Sequence, residues 1–304
     1  MPEHDPGSDD IAAIAATIPV LAGWHGTPQR LGGLTNRVWR LGEHILRIPG
    51  EGTAAYIDRA NEAVAAQAAA QAGVSPAVLH ADPATGLMVT RFIDDAATMT
   101  PAGFRTRPGA PDRAGRAFRR LHDSGAVFPF RFELFAMIDN YLHLLAGRDV
   151  ALPGGYHDVV AEAAAVRAAL AARPLPLAPC HCDPLCENFL DTGERMWIVD
   201  WEYSGMNDPM WDLGDLSVEA EFDADQDNAL LRAYFGGQAS PHDRGRMVIY
   251  KAMCDLLWTL WGLIQLADAN PALDFRAYAD GRFARCKALM ATPDFARHLQ
   301  AVAN

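Results

Sequence analysis

The stretch His181-Cys-Asp-Pro-Leu-Cys-Glu-Asn188, followed by Trp197-Ile-Val-Asp200, decides how the rest of the chain is read. It spells H-x-D-x-x-x-x-N and then an apolar run that ends in a carboxylate. Transfer of a phosphoryl group asks little covalent help of a protein. It asks for a carboxylate that orients the accepting hydroxyl and for oxygen ligands that hold Mg²⁺ against the nucleotide phosphates. Asp183, Asn188 and Asp200 are those groups: Asp183 as the catalytic carboxylate, Asn188 and Asp200 as metal ligands. An aspartate closing a strand-like run sits rigidly at a cleft edge. The bland alternative is a polar turn between two strands, with Asp183-Pro184 starting it.

Around this stretch the chain changes character. Residues 11–22 read as a short Ala/Ile-rich helix. Residues 31–41 read as strand, glycine turn, strand, and His44-Ile-Leu-Arg-Ile48 as another strand broken by Pro49-Gly50. Asp58 to Gln71 is alanine-rich and helical, with Gly73 as its C-terminal stop. Residues 78–80 and 87–93 read as strands joined by Asp82-Pro83-Ala-Thr-Gly86. Beyond that the pattern is helical, near 112–123, 132–146, 156–172, 209–221, 226–235, 241–268 and 274–290. Strands flank only the opening motif, at 189–190 and 197–200. The expected fold is therefore α+β and bilobal: a β-rich N-terminal nucleotide-binding lobe over residues 1–94 and a mostly helical C-terminal catalytic and substrate lobe over 95–304. The boundary falls between Asp94 and Thr100.

Composition narrows the function classes. The 304 residues are half hydrophobic and 21% charged, enough for a sizeable core. A net charge of −12, from 38 acidic and 26 basic residues, argues against a nucleic-acid partner, which needs a basic footprint. It suits a cationic substrate mildly. The start, Met1 to Asp10, is acidic and unlike a secretory signal. The most apolar segment, Leu256 to Ala267, is short for a bilayer span and contains Gln265, so no membrane insertion is expected and the cytoplasm is the expected location. Five cysteines fit no secreted disulfide framework, and reduced thiols are the default. Cys180, Cys182 and Cys186 around His181 could suggest zinc, but no second ligand pair follows.

Gly32, Gly33, Thr35 and Asn36 occupy the first turn. Glycines let backbone amides approach phosphate oxygens, and Thr35 and Asn36 can add side-chain contacts. The next strand carries Arg47 and the next helix Glu62, a cation and carboxylate placed to steady phosphates, with Arg59 as a competing partner for Glu62. Backbone groups at Arg91 to Ile93 stand where adenine would pair. On the substrate side, Asp255, Trp258, Trp261, Gly262 and Gln265 share one face of a helix. Two tryptophans a turn apart can stack on a quaternary ammonium, worth up to about 2 kcal/mol each when desolvated. On spacing alone they read more readily as core. Glu219 could add a balancing carboxylate.

These segments resemble the choline/ethanolamine kinases, in their bacterial form, within the aminoglycoside-phosphotransferase-like and protein-kinase-like group. The resemblance rests on Gly32-Gly-Leu-Thr-Asn36, Ile45-Leu-Arg-Ile-Pro-Gly50, Asn61-Glu62, the H-x-D-x-x-x-x-N loop and Ile198-Val-Asp-Trp-Glu-Tyr203. It continues through Asp212-Leu-Gly214, Glu219, Leu257-Trp-Thr-Leu-Trp-Gly-Leu-Ile-Gln265 and Asp274-Phe-Arg-Ala-Tyr-Ala279 to Arg282-Phe283. It implies ATP and Mg²⁺ as cofactors, Asp183 as base, Asn188 and Asp200 on the metal, and Arg in place of the lysine of protein kinases. It places Gly33, Thr35, Asn36, Arg47 and Glu62 at the nucleotide, and Glu219, Trp258 and Trp261 at the amine of a small alcohol, choline or ethanolamine first. Asp212 is implied as a brace of the catalytic loop. Asp215 departs from an Asn common in eukaryotic members, and Phe222 and its neighbours supply no clear third cage aromatic. Thiamine, an aminoglycoside or an amino sugar are rival acceptors, and a non-catalytic ATP-binding pseudokinase is the rival class. The oligomeric state, a dimer included, is left open.

Overall fold

The computed structural model describes residues 8–32, 36–50 and 57–304. The predicted Gly33 and Thr35 lie outside the described residues. The N-terminal lobe is a five-stranded antiparallel sheet built from β1 (Gln29–Gly32), β2 (Asn36–Leu41), β3 (His44–Pro49), β4 (Val78–Ala81) and β5 (Met88–Arg91), in the order β1-β2-β3-β5-β4. Side chains alternate along a strand, and β3 uses both faces. Leu46 and Ile48 join Trp39, Leu41 and Val89 in a small core closed by Ile11, Ile18 and Leu21. Ile45 and Arg47 point the other way, into the cleft. Arg47 pairs across the sheet with Val38 and Met88.

The helix α1 (Ser8–Ala16) stops well before residue 22, and a separate helical turn, Pro19–Leu21, follows it. Pro19 has no N–H to continue the ladder. Helix α2 (Arg59–Gln71) starts where Asp58 accepts hydrogen bonds from the amides of Ala60 and Asn61. It ends at Ala72, and Gly73 then takes φ = +72°, a left-handed turn that glycine adopts without cost. The alanines of α2 form a smooth face, Ala65, Ala66 and Ala69, buried against the main core.

The C-terminal lobe is helical: α3 (Pro101–Thr106), α4 (Ala110–His122), α5 (Leu134–Leu145), α6 (Tyr156–Ala172), α7 (Met210–Glu219), α8 (Ala224–Phe235), α9 (Pro241–Ala267), α10 (Phe275–Met290) and α11 (Pro293–Ala303). Helix α9 lies at its centre, packed by α5, α7, α10 and α11. It is long and apolar enough to cross a bilayer by composition, but 83% of its apolar window is buried inside the protein. It is a core helix, and the apolar segment read from residue 256 is only its second half.

Five short strands frame the catalytic loop. Strands β6 (Ala97–Thr98), β8 (Phe189–Asp191) and β9 (Met196–Ile198) form one small sheet, and β7 (Ala178–Cys180) pairs with β10 (Gly205–Asn207) in another. The motif 181–188 runs from the end of β7 to the start of β8, and Asp200 follows β9. Asp183 and Asp200 thus each follow a strand by two or three residues.

Candidate active site

One cleft of about 770 Å³ runs between the lobes. Arg47, Glu62, Asp183, Asn188, Asp200, Glu219, Trp258 and Trp261 all line it. Asn36, at the start of β2, reaches its edge by donating to Glu202 Oε2 at 3.2 Å. Of the residues expected at the catalytic, nucleotide and amine sites, those described line this cleft or, in the case of Asn36, touch a residue that does.

The catalytic loop is pinned from below by α7. Asp212 accepts the amides of His181 and Cys182, both at 2.8 Å, and His122 Nε2 at 3.0 Å. Trp211 Nε1 donates to the Cys182 carbonyl at 3.0 Å. These contacts hold Cys182 at φ = +68°, a left-handed conformation rare for a side-chain-bearing residue. His181 donates from Nε2 to the Val199 carbonyl at 2.9 Å and accepts the Asp183 amide at Nδ1 (3.4 Å), tying loop to strand end. A carbonyl only accepts, so the ring carries its proton on Nε2. Burial lowers its pKa and keeps it neutral. Burial also pushes the thiols of Cys180, Cys182 and Cys186 upward, so none is poised as a thiolate ligand.

Asn188 donates its amide to the Asp183 carbonyl at 3.0 Å, which leaves its side-chain oxygen for the cleft. The Asp183 carboxyl is pushed well above the usual carboxylate range by burial, then by Glu219, Asp200 and Glu202, with Arg282 opposing. Asp200 adopts φ = +68°. Burial and the charge of Glu202 push its pKa up to about 8, against the pull of Arg47. Its Oδ1 is buried without a hydrogen-bond partner among the described residues. Glu62, Asp200 and Glu202 each bring a carboxylate oxygen within 4.8 Å of the others. Hard oxygens crowded this way, one of them unsatisfied, fit a divalent cation such as Mg²⁺.

Opposite them stands a cluster of cations. Arg47 is ion-paired with Glu62 and lies 3.8 Å from Asp200 and 3.7 Å from Glu202. Arg59 meets Glu62 at 2.8 Å and Glu202 at 3.1 Å. The competition anticipated between the two arginines is thus a sharing. Glu202, not singled out from sequence, is where Asn36, Arg47 and Arg59 of the upper lobe meet the lower. Its position two residues after Asp200, on the opposite side of Trp201, was the available signal. At the hinge, the amides of Arg91 and Phe92 are already spent on the carbonyls of Ala77 and Glu43. Of the three amides in that segment, the Ile93 amide makes no backbone hydrogen bond among the described residues.

The far end of the cleft is aromatic. Trp258 and Trp261 stand edge to face, centroids 6.4 Å apart at 87°. Tyr203 closes one side, 5.7 Å from Trp258, and Tyr278 another, 5.8 Å from Trp261. The indole N–H groups are turned away from the middle: Trp258 donates to Asp215 Oδ2 at 3.3 Å and Trp261 to the Tyr203 hydroxyl at 3.2 Å. Glu219 is bound by Arg282 at 2.5 Å, and Arg282 also meets Asp255 at 3.2 Å. Phe222 packs elsewhere, against Phe104 with centroids 5.3 Å apart. The further aromatics beside the two tryptophans are Tyr203 and Tyr278.

A family model described as the phosphotransferase enzyme family matches residues 27–248. A crystal structure of a choline/ethanolamine kinase family protein from Mesorhizobium loti superposes with a TM-score of 0.91, is 73% identical, and covers 97% of this chain and 98% of its own. The chain belongs to the choline/ethanolamine kinase family. Within that family of phosphotransferases, the crystal structure of the choline kinase LicA from Streptococcus pneumoniae has a TM-score of 0.77 at 25% identity, covering 92% of this chain and 99% of that one. A structure of LicA in complex with AMP gives 0.75 at 26% identity, over 92% and 97% of the two chains. The bilobal, protein-kinase-like fold expected from the catalytic loop is the fold these relatives share. As a member of this family, the chain has its motifs where the fold brings them together, although they span residues 36 to 282.

Proposed function

We propose that this kinase transfers the γ-phosphoryl group of ATP to the hydroxyl of a small quaternary amino alcohol, choline above ethanolamine. The observation that carries the reading is the aromatic cage of Tyr203, Trp258, Trp261 and Tyr278 at one end of the cleft that holds Asp183 and Asp200. A trimethylammonium head has no N–H to donate and is matched by π faces. A primary ammonium has three N–H donors that need acceptors. The cage offers it ring faces, and the Oε1 of Glu219 is already held by Arg282.

ATP would occupy the end beneath β1–β3, its base toward Ile93 and its phosphates toward Arg47. Glu62 orients Arg47, whose guanidinium neutralises phosphate charge. Asn188 and Asp200 would hold Mg²⁺, which when bound supplies charge neutralisation to the phosphates. Asp183 accepts a hydrogen bond from the acceptor hydroxyl and takes its proton as the new O–P bond forms. A cation seated in the cage favours the ionised form of the Asp183 carboxyl that burial otherwise disfavours, so substrate binding readies the base. The test is acceptor-dependent ADP release over choline, ethanolamine, thiamine and kanamycin. Choline-dependent release is expected; release with kanamycin alone would retire the cage as the acceptor site.

A further inference from the structure

We propose that Asp215 determines the specificity of the cage for charge: seated behind Trp258, its carboxyl makes the site prefer a cation to a neutral head of the same shape. The inference rests on the reading of the cage as an ammonium site. Asp215 projects from α7 and is 1% exposed. Its Oδ2 accepts the Trp258 indole N–H at 3.3 Å, and its Oδ1 is buried with no partner among the described residues. Leaving a buried carboxyl oxygen unmatched is costly unless something compensates it. The neighbouring acids are already matched. Glu219 is paired with Arg282, and Asp255 with Arg282 and with Arg285 at 2.6 Å. Unlike Glu219 and Asp255, Asp215 has no arginine bonded to it among the described residues, so its carboxyl is left for an arriving cation to compensate.

The route of the effect is short. A carboxylate bonded to an indole N–H raises the electron density of the ring, and that ring is a wall of the cage. The same charge also acts from a buried position, where it is screened less than in water. The groups facing Asp215 are Glu219 on its own helix, Asp183 and Cys182 from the catalytic loop, Arg282 from α10, and Cys254 and Trp258 from α9. Burial together with Glu219 and Asp183 pushes its pKa well above the usual carboxylate range. Its negative charge therefore develops with the arrival of a cation, and a neutral ligand calls up none.

The test compares choline with 3,3-dimethylbutan-1-ol, which has the same shape with a neutral carbon in place of the nitrogen. Dissociation constants are measured for the wild type and for Asp215→Asn, which keeps the acceptor for the indole N–H and loses the charge. The expected result is an affinity for choline reduced about tenfold, with that for the neutral alcohol unchanged. Equal weakening of both ligands, or of neither, would overturn the proposal. If Asp215→Asn does not fold, Trp258→Phe, which removes the N–H and keeps a ring, reads the same ratio, and an unchanged ratio would again overturn it. A wild type that binds choline no more tightly than the neutral alcohol would instead overturn the ammonium reading itself.

Discussion

Gly262 is where two helices come close enough to build the cage, and replacing it tests how that wall is made. A Cβ at Gly262 would stand 2.6 Å from Tyr278 Cδ1, 3.0 Å from Cε1 and 3.5 Å from the Ala279 Cβ. Carbon atoms in ordinary contact are about 3.5–4.0 Å apart, so in Gly262→Ala the tyrosine ring must retreat by about 1 Å. Ala279 is already at contact distance and is fully buried, so α10 cannot simply slide. Overpacking of this size costs about 1–3 kcal/mol. Part of it appears as lost stability, a fall in Tm of a few degrees for a chain of this length. Part appears at the site, because Tyr278 faces Trp261. We expect KM for choline to rise about five- to tenfold with KM for ATP unchanged, since Tyr278 stands at the aromatic end of the cleft beside Trp261. Thermal unfolding and steady-state kinetics with each substrate varied in turn measure both. In a Tyr278→Ala background the clash has no partner, and the stability cost of Gly262→Ala should disappear. A single variant with wild-type Tm and wild-type KM for choline would refute the close approach of α9 and α10 on which the cage depends.

Two further outcomes follow from the nucleotide end and the catalytic loop. Arg47→Lys keeps the charge but cannot fork between Glu62, Asp200 and the phosphates, so KM for ATP should rise about tenfold while KM for choline stays put; unchanged ATP kinetics would mean the fork geometry is irrelevant. Burial holds the pKa of His181 below its unfolded value, near pH 6.5, so its contribution to stability is present above that pH and is lost as the pH falls. Chemical-denaturation midpoints should drop between pH 7.5 and 5.5, and His181→Gln should flatten that drop; equal slopes in both proteins would contradict the neutral, doubly bonded ring.

How much of this was legible in the sequence differs by scale. The alternation of His44-Ile-Leu-Arg-Ile48 sets Arg47 on the cleft face by local geometry alone, and the catalytic motif needed only strand ends to stand on. Helix α3 escaped because it is only six residues long, and α11 escaped although it is longer than α7; both open with Thr-Pro, the side chains of Thr100 and Thr292 capping amides three residues on. That cap-and-proline start is the signal that would have found them. Strands of two or three residues such as β6, β7 and β10 exist only through their partners, and no local pattern announces a partner that lies far along the chain, from residue 178 to 207 for β7 and β10 and from 97 to 191 for β6. The same limit applies to the site. Spacing placed Trp258 and Trp261 on one face, but not the arrival of Tyr203 and Tyr278 around them. It offered Glu219 as a free carboxylate, and α10 delivers Arg282 to it. Trp258 satisfies both readings of its spacing: it is buried with the core and lines the cleft.

The central claim is that Asp183, at one end of an aromatic cage, accepts the proton of an amino alcohol as it is phosphorylated. Phosphocholine formation from ATP and choline, followed directly in the wild type and in Asp183→Asn, tests it most directly. The account predicts stoichiometric phosphocholine and ADP with the wild type, a fall in kcat of at least about a hundredfold in the variant, and a KM for choline that barely moves. Phosphocholine formed by the variant at the wild-type rate would contradict the assignment of the base, and ATP bound without transfer to choline by the wild type would contradict the acceptor.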